Sequence, residues 1–263
     1  MDLGLQNKVA LVAAASRGLG RAVAEELAQE GASLILCARN EMILNETCEA
    51  IIQKTGVRVS GKACDLSLSA DVEQLVQQGL EKFGRIDILV TNVGGPPAGQ
   101  FESLSHDNWE EATRLLLTSV VDLTRLILPG MKERRWGRIL NITSIAVKQP
   151  VQNLMLSNSL RAAVTGFART LANEVAQDGI TVNNIMPGYT RTERVEQLAQ
   201  SIAAKAGITP GEAVARWESE IPMKRLGEPR EFAALAAFLV SERASYITGS
   251  SIAVDGGWIR SLI

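Results

Sequence analysis

Residues 8 to 20 read KVALVAAASRGLG and decide the fold. The apolar run KVALVAAA (8–15) has the composition of a strand that is buried on both faces. The segment GRAVAEELAQEG (20–31) follows, with apolar residues at helical spacing and a terminal glycine of the kind that ends helices. Gly18 and Gly20 stand at the junction. This stretch therefore predicts a strand, a tight turn and a helix in direct succession.

The same alternation continues to the end of the chain. Further strand-like runs occupy 33–38, 57–65, 86–93, 137–144, 179–187 and 250–257. Helical patterns occupy 41–56, 70–84, 107–133, 157–177, 191–220 with a break at 207–210, and 229–241. Apolar strands separated by helices predict a parallel sheet with helices on both faces. Because no linker, repeat or low-complexity tract divides the sequence, we expect residues 1–263 to form one doubly wound α/β domain.

Composition excludes several classes of protein. The net charge of −2 and the mixing of 27 basic with 29 acidic residues argue against a nucleic-acid-binding surface. No apolar run is long enough to predict a membrane span. Cys37, Cys48 and Cys64 form no CxxC pattern, and His106 is the single histidine, so neither a disulfide framework nor a metal site is expected. Free thiols favour a cytoplasmic location.

The glycine-rich junction is a candidate phosphate-binding turn. A dinucleotide site needs a tight turn between a strand and a helix, close approach of the backbone, and helix N–H groups that face the anion. The spacing of Gly18 and Gly20 alone is weak support for such a site. Their place in the first strand–helix unit makes the indication much stronger.

With these motifs, the chain resembles a short-chain dehydrogenase/reductase of the subgroup that includes 3-oxoacyl-[acyl-carrier-protein] reductases. The resemblance rests on AAASRGLG (13–20), ACDLS around Asp65, TNVGG (91–95), PGYTRT (187–192) and ITGSSIAVDGG (247–257). It covers nearly the whole chain and implies a Rossmann fold. One departure is Ala14, which stands where the family has its first glycine and has poorer access to positive φ.

The resemblance also implies a set of cofactor-binding residues: Ser16, Arg17, Gly18, Leu19, Gly20, Arg39, Asp65, Leu66, Asn92, Gly94, Arg161, Pro187, Gly188 and Thr192. Arg17 and Arg39 favour NADP(H) over NAD(H), because two guanidinium groups suit a 2′-phosphate whereas an acidic residue would suit the ribose hydroxyls. The alternative is that both arginines are ordinary solvated surface residues.

The catalytic positions depart from the family pattern. Ser144 matches the family's substrate-binding serine, and the family tyrosine lies thirteen residues later, which is Ser157 here. Arg161 stands where the family has lysine, and Leu116 stands at the asparagine position. The segment AAVTGFARTLANEVA (162–176) keeps the family pattern after the lysine, so the register holds. An aliphatic hydroxyl is a much weaker acid than a phenol, whose pKa is about 10.

Two functions remain open from the sequence. One is an NADP(H)-dependent oxidoreductase acting on a carbonyl or secondary alcohol, with a 3-oxoacyl-like compound among the candidate substrates. In this function Ser144, Ser157, a water and Arg161 would form a proton relay. Tyr189 or Lys148 is a further candidate for the proton donor. The other is a non-catalytic protein that binds NADP(H) or a metabolite.

The resemblance implies two further features. Residues 190–225 would form a substrate lid with an apolar inner wall. The long helices 107–133 and 157–177 would pair across a two-fold axis and give a homodimer or homotetramer. The expected partner is a small-molecule substrate, with no nucleic acid and no membrane.

Overall fold

A computed structural model describes residues 2–262. Within this range seven strands are present: β1 Val9–Val12, β2 Ser33–Ala38, β3 Val59–Ala63, β4 Ile88–Thr91, β5 Gly137–Ile142, β6 Ile180–Pro187 and β7 Ser251–Val254. They form one sheet in the order β3-β2-β1-β4-β5-β6-β7. All neighbouring pairs are parallel, so the predicted doubly wound sheet is confirmed.

The helices fall close to their predicted positions. They are α1 Gly18–Gln29, α2 Glu41–Thr55, α3 Ser69–Phe83, α4 His106–Thr113, α5 Ser119–Arg134, α6 Met155–Val175, α7 Glu193–Ala206, α8 Pro210–Glu220 and α9 Pro229–Leu239. One prediction needs correction: the single helix expected over 107–133 is α4 and α5 joined by a π-helical turn, Arg114–Thr118. Such turns are rare, and they are frequently found at functional sites.

Helices cover both faces of the sheet, which explains the unbroken apolar strands. Along β1, Ala10 and Val12 pack into the core beneath α1, α2 and α9. Val9 and Leu11 point to the opposite face and pack beneath α3, α5 and α6. Because neither face of the strand meets water, all four positions are apolar.

A third apolar cluster lies above the sheet and consists mainly of α7 and α8. The two helices meet at Gly207, which has a φ of +65°, at the break that the sequence predicts. Met186 at the end of β6, Trp217 of α8 and Trp258 after β7 form part of this cluster. The segment 190–225 therefore packs over the carboxyl end of the sheet.

Three structural properties concern the disulfide framework, the membrane span and the metal site that the sequence argues against. The three cysteines are free and buried. In the described part of the chain, no helix is long and apolar enough to cross a membrane. Residues 2–262 also hold no group of three or more His, Cys, Asp or Glu side chains that could bind a metal ion.

Candidate cofactor and substrate site

The predicted site residues gather at one edge of the sheet. Each follows or ends a strand: the glycine-rich turn follows β1, Arg39 follows β2, Asp65 follows β3, Asn92 follows β4, Ser144 follows β5, and Pro187 ends β6. Strand order reverses between β1 and β4, which are neighbours in the sheet. In open α/β sheets ligands bind at this reversal, outside the carboxyl ends of the strands.

The turn between β1 and α1 is tightly packed. Ala14 adopts a φ of +48° and Gly18 a φ of +56°. For Ala14 this left-handed backbone costs about 1–2 kcal/mol, which the family's glycine would avoid. At Gly20 an added Cβ would lie 2.3 Å from the carbonyl oxygen of Ala14, so the position requires glycine. The amide of Asn92 also donates to that oxygen, at 3.4 Å, and joins the turn to the end of β4.

The amino terminus of α1 faces this groove without a side-chain cap. Arg17 is its N-cap residue and makes no capping hydrogen bond, and the first turn holds no acidic residue. The first N–H groups of the helix are therefore available to an anion. Across the groove, a Cβ built at Gly94 would meet no atom within 4 Å. An uncapped helix and an open glycine wall fit the diphosphate of a dinucleotide.

Ser16 and Leu19, two further residues of the predicted set, make contacts that stabilise the turn. The carbonyl of Ser16 accepts a 3.2 Å hydrogen bond from the hydroxyl of Thr47 on α2. Leu19 packs against the core cluster beneath α1. These contacts fix the backbone of the turn from the inside, so its outer face is left to a ligand.

Two charged residues that the sequence analysis identifies, Arg39 and Asp65, lie just after β2 and β3. Arg39 is exposed directly after β2. Asp65 accepts hydrogen bonds from the backbone N–H and the hydroxyl of Ser67, at 2.9 and 2.7 Å. These bonds hold the pKa of Asp65 below its usual value. Leu66 beside it is buried at 7 % exposure.

The other end of the groove is formed by the segment after β6. Gly188 donates to the carbonyl of Val254 at 2.9 Å. A Cβ at Gly188 would lie 2.7 Å from the Cα of Asp255, so the close approach to β7 needs glycine. Thr192 is the N-cap of α7, and its hydroxyl accepts a hydrogen bond from Val195. Pro187, Gly188 and Thr192 thus lie together after β6, and their place at the nicotinamide stays a prediction.

The catalytic candidates lie just after β5 and on α6. The hydroxyl of Ser144 accepts a 3.1 Å hydrogen bond from the N–H of Ala146. Ser157 is in the first turn of α6 and is 8 % exposed. One turn further, Arg161 donates to the carbonyl of Ile142 at 2.8 Å. Burial, and then the charge of Arg194, lower the pKa of Arg161 to about 10.

The π-helical turn brings Leu116 to the same place. Leu116 is 2 % exposed and lines a small cavity of about 10 Å³ together with Asn92 and Arg161. That volume is close to the minimum for a single water molecule. The residue at the family's asparagine position is therefore an apolar wall beside Arg161 and supplies no polar group.

A large cleft of about 1170 Å³ includes Leu154, the residue before α6, in its wall, but Ser144, Ser157 and Arg161 do not line it. It is lined by Tyr189, Trp217 and Trp258 and by several polar side chains, including Gln149 and Asn153. Tyr189 stacks on Trp217 at 4.7 Å between ring centroids and meets Trp258 edge-on at 6.0 Å. Burial, and then the nearby Glu220, raise the pKa of Tyr189.

Only one of the two other proton-donor candidates lines the cleft. Tyr189 belongs to its wall, whereas Lys148 is exposed and is not among the residues that line it. The sequence reasoning missed Trp258, Glu193 and Arg194. Trp258 directly follows the DGG motif (255–257), whose place in the family pattern was the signal that could have found it. Glu193 and Arg194 gave no local signal, because their neighbours come from distant parts of the chain.

A family model described as "Enoyl-(Acyl carrier protein) reductase" matches residues 13–259. The chain belongs to the short-chain dehydrogenase/reductase family. Among members of this family, it is 37% identical over 253 residues to 3-oxoacyl-[acyl-carrier-protein] reductase FabG of Haemophilus influenzae, covering 96% of this chain and 98% of that protein. It is 31% identical over 262 residues to the NADPH-dependent reductase BacG of Bacillus subtilis, covering 98% of this chain and 100% of that protein.

Solved structures of this short-chain dehydrogenase/reductase family superpose along the whole chain. L-sorbose reductase from Gluconobacter frateurii, complexed with NADPH and L-sorbose, matches with a TM-score of 0.95 and 36% identity over 100% of both chains. The Rossmann-type sheet and its helices are therefore those of an oxidoreductase family. Of the compared members, BacG is named as NADPH-dependent, and L-sorbose reductase was solved in complex with NADPH.

Proposed function

We propose that the protein is an NADP(H)-dependent oxidoreductase that interconverts a ketone and a secondary alcohol. The observation that carries this proposal is the groove at the strand-order reversal, where an uncapped helix end faces the open backbone of Gly94. Arg17 and Arg39 would hold the 2′-phosphate, and Asp65 and Asn92 would lie along the adenosine and ribose. The bound nicotinamide would supply or accept the hydride.

The chain's own residues would then position the carbonyl and move the proton. The hydroxyl of Ser144, whose oxygen accepts from the N–H of Ala146, would donate its own hydrogen to the substrate oxygen. Ser157 and Arg161 would pass a proton through water, with the guanidinium favouring negative charge on the oxygen. Tyr189 is the second donor candidate, because it lines the cleft and its raised pKa keeps the phenol protonated.

The cleft accepts a substrate larger than a simple ketone. Its volume of about 1170 Å³ exceeds the range of about 300–1,000 Å³ that is typical of small-molecule sites. A 3-oxoacyl thioester and a keto-sugar such as L-sorbose are both substrates to test, since relatives with these names share the fold.

A non-catalytic NADP(H)-binding protein is the second candidate. It is favoured by the serine at position 157 and by the hydrogen bond that engages Arg161 with Ile142. Fluorescence titration with NADPH and NADH, followed by NADPH oxidation with a panel of carbonyl compounds, separates the two. Binding with turnover supports the oxidoreductase, binding without turnover supports the second candidate, and no binding of either cofactor rejects both.

We further propose a closed dimer or tetramer that pairs through α4–α5 and α6, and a cytoplasmic location in keeping with the free thiols. The segment 190–225 is proposed as the lid of a single domain that spans residues 1–263.

A further inference from the structure

The N-cap residue of α7, Thr192, and its first two residues, Glu193 and Arg194, lie across the groove that the proposed cofactor would occupy. We call residues 192–194 the α7 entry. A Cβ at Gly18 would lie 3.7 Å from the side chain of Thr192, so the α7 entry touches the glycine-rich turn. A Cβ at Gly95 would lie 2.9 Å from the guanidinium of Arg194, so the α7 entry also reaches the segment after β4.

An ion pair joins Glu193, the middle residue of the α7 entry, to Arg17 in the glycine-rich turn. Glu193 accepts a 2.5 Å hydrogen bond from the guanidinium of Arg17. Both side chains are about half exposed, at 50% for Arg17 and 54% for Glu193, so the pair can open at little cost. Arg17 is one of the two arginines assigned to the 2′-phosphate of the cofactor. Its positive charge is therefore already engaged by a carboxylate of the same chain.

We propose that Glu193 is an internal competitor for the phosphate site at Arg17 and so determines how strongly the protein prefers NADPH to NADH. This inference rests on the proposed function. A carboxylate and a phosphate are both anions that pair with a guanidinium through charge-assisted hydrogen bonds. Arg17 must release Glu193 before it can bind the 2′-phosphate. NADH lacks that phosphate, so its binding leaves the ion pair in place.

The same exchange links the cofactor to the lid. Glu193 is the first residue of α7, which carries the cleft residues Leu198 and Ile202. When Arg17 exchanges the carboxylate for a phosphate, the amino terminus of α7 loses its ion pair with the glycine-rich turn.

The test is a set of dissociation constants for NADPH and NADH, measured by fluorescence titration of the full chain at low ionic strength. The variants are Glu193→Gln, Arg17→Met and the double variant. The matched control is Glu196→Gln, which removes the same charge from an exposed position three residues along α7. Glu193→Gln is expected to lower the Kd for NADPH roughly two- to fivefold, the range that an exposed ion pair is worth.

The NADH titrations, the control variant and the double variant also have defined expected results. The Kd for NADH is expected to stay unchanged in Glu193→Gln, and both Kd values in Glu196→Gln. On the Arg17→Met background, Glu193→Gln is expected to have no effect, because the double variant removes the shared partner. An unchanged Kd for NADPH, an equal gain for both cofactors, or a gain that persists without Arg17 would each overturn the inference. If the unmodified chain binds neither cofactor, the proposed function fails and the inference falls with it.

Discussion

The guanidinium of Arg161 donates a 2.8 Å hydrogen bond to the backbone carbonyl of Ile142. This bond joins α6 to the last residue of β5, two residues before Ser144. Arg161 therefore does two things at the family's lysine position. It holds the strand end that precedes Ser144, the proposed substrate-binding serine, and it keeps a positive charge beside the proposed ribose site.

Replacing Arg161 with methionine is expected to destabilise the fold. The carbonyl of Ile142 would lose its side-chain donor in a partly buried place, which costs about 1–3 kcal/mol of unfolding free energy. Urea unfolding measures the change. Arg169→Met is the control, because Arg169 on the same helix also donates to a backbone carbonyl but is exposed. Equal losses for the two variants would show that the bond to Ile142 has no special structural role.

Restoring the family pair is expected to increase reductase activity. In Ser157→Tyr with Arg161→Lys, a phenol of pKa about 10 replaces the aliphatic hydroxyl, and general acid catalysis is worth roughly 10²–10⁴-fold. The measurement is NADPH oxidation with a ketone that the unmodified chain reduces slowly or not at all. Ser157→Phe with Arg161→Lys supplies the ring without the hydroxyl. If both double variants behave alike while folded and bound to NADPH, the phenol is not what the site lacks.

Ser144→Ala is expected to reduce kcat/KM without changing cofactor affinity. The hydroxyl would donate to the carbonyl oxygen as negative charge develops there, and the loss of one such donor costs about 10²-fold. Steady-state kinetics measures the first effect and fluorescence titration the second. Ser144→Thr retains the hydroxyl and should keep more of the activity. An Ala variant with full kcat/KM would remove Ser144 from the catalytic set.

Tyr189 is expected to make the stability of the protein sensitive to alkaline pH. Burial, and then Glu220, raise its pKa in the folded state above the unfolded value of about 10. Its contribution to stability is therefore complete below that value and is lost as the pH rises through the folded-state pKa. Urea unfolding at neutral pH and near pH 11 should show a smaller loss for Tyr189→Phe than for the unmodified chain. Equal losses would contradict the expectation.

Gly166→Gln is expected to disrupt the proposed dimer. Gly166 is exposed on α6, and a Cβ there would meet no atom of the same chain within 4 Å. The longer side chain is compatible with the fold, and it improves helix propensity by up to about 1 kcal/mol. It would nevertheless obstruct a second copy of α6. Sedimentation should show a reduced mass for this variant, whereas Ala204→Gln, exposed on α7, should keep the original mass. A monomeric unmodified chain would reject the dimer itself.

Local patterns in the sequence were enough for the architecture. The apolar run before Gly18 and the strand–helix alternation after it predicted the parallel sheet, because strands buried on both faces and amphipathic helices leave period-specific patterns. The π-helical turn at Leu116 was missed, since its apolar residues fit the pattern of one continuous helix. Family spacing located Ser144, Ser157 and Arg161, and all three lie at the carboxyl end of the sheet.

The sequence by itself thus determined the order of elements, the end of the sheet at which the candidate site residues gather, and the absence of a tyrosine at position 157. Only the tertiary structure decided which groups meet there. The ion pair between Arg17 and Glu193 joins residues that are 176 positions apart. The hydrogen bond from Arg161 to Ile142 likewise depends on how α6 packs against β5. Such contacts form when distant segments fold onto one another, so local sequence patterns do not predict them.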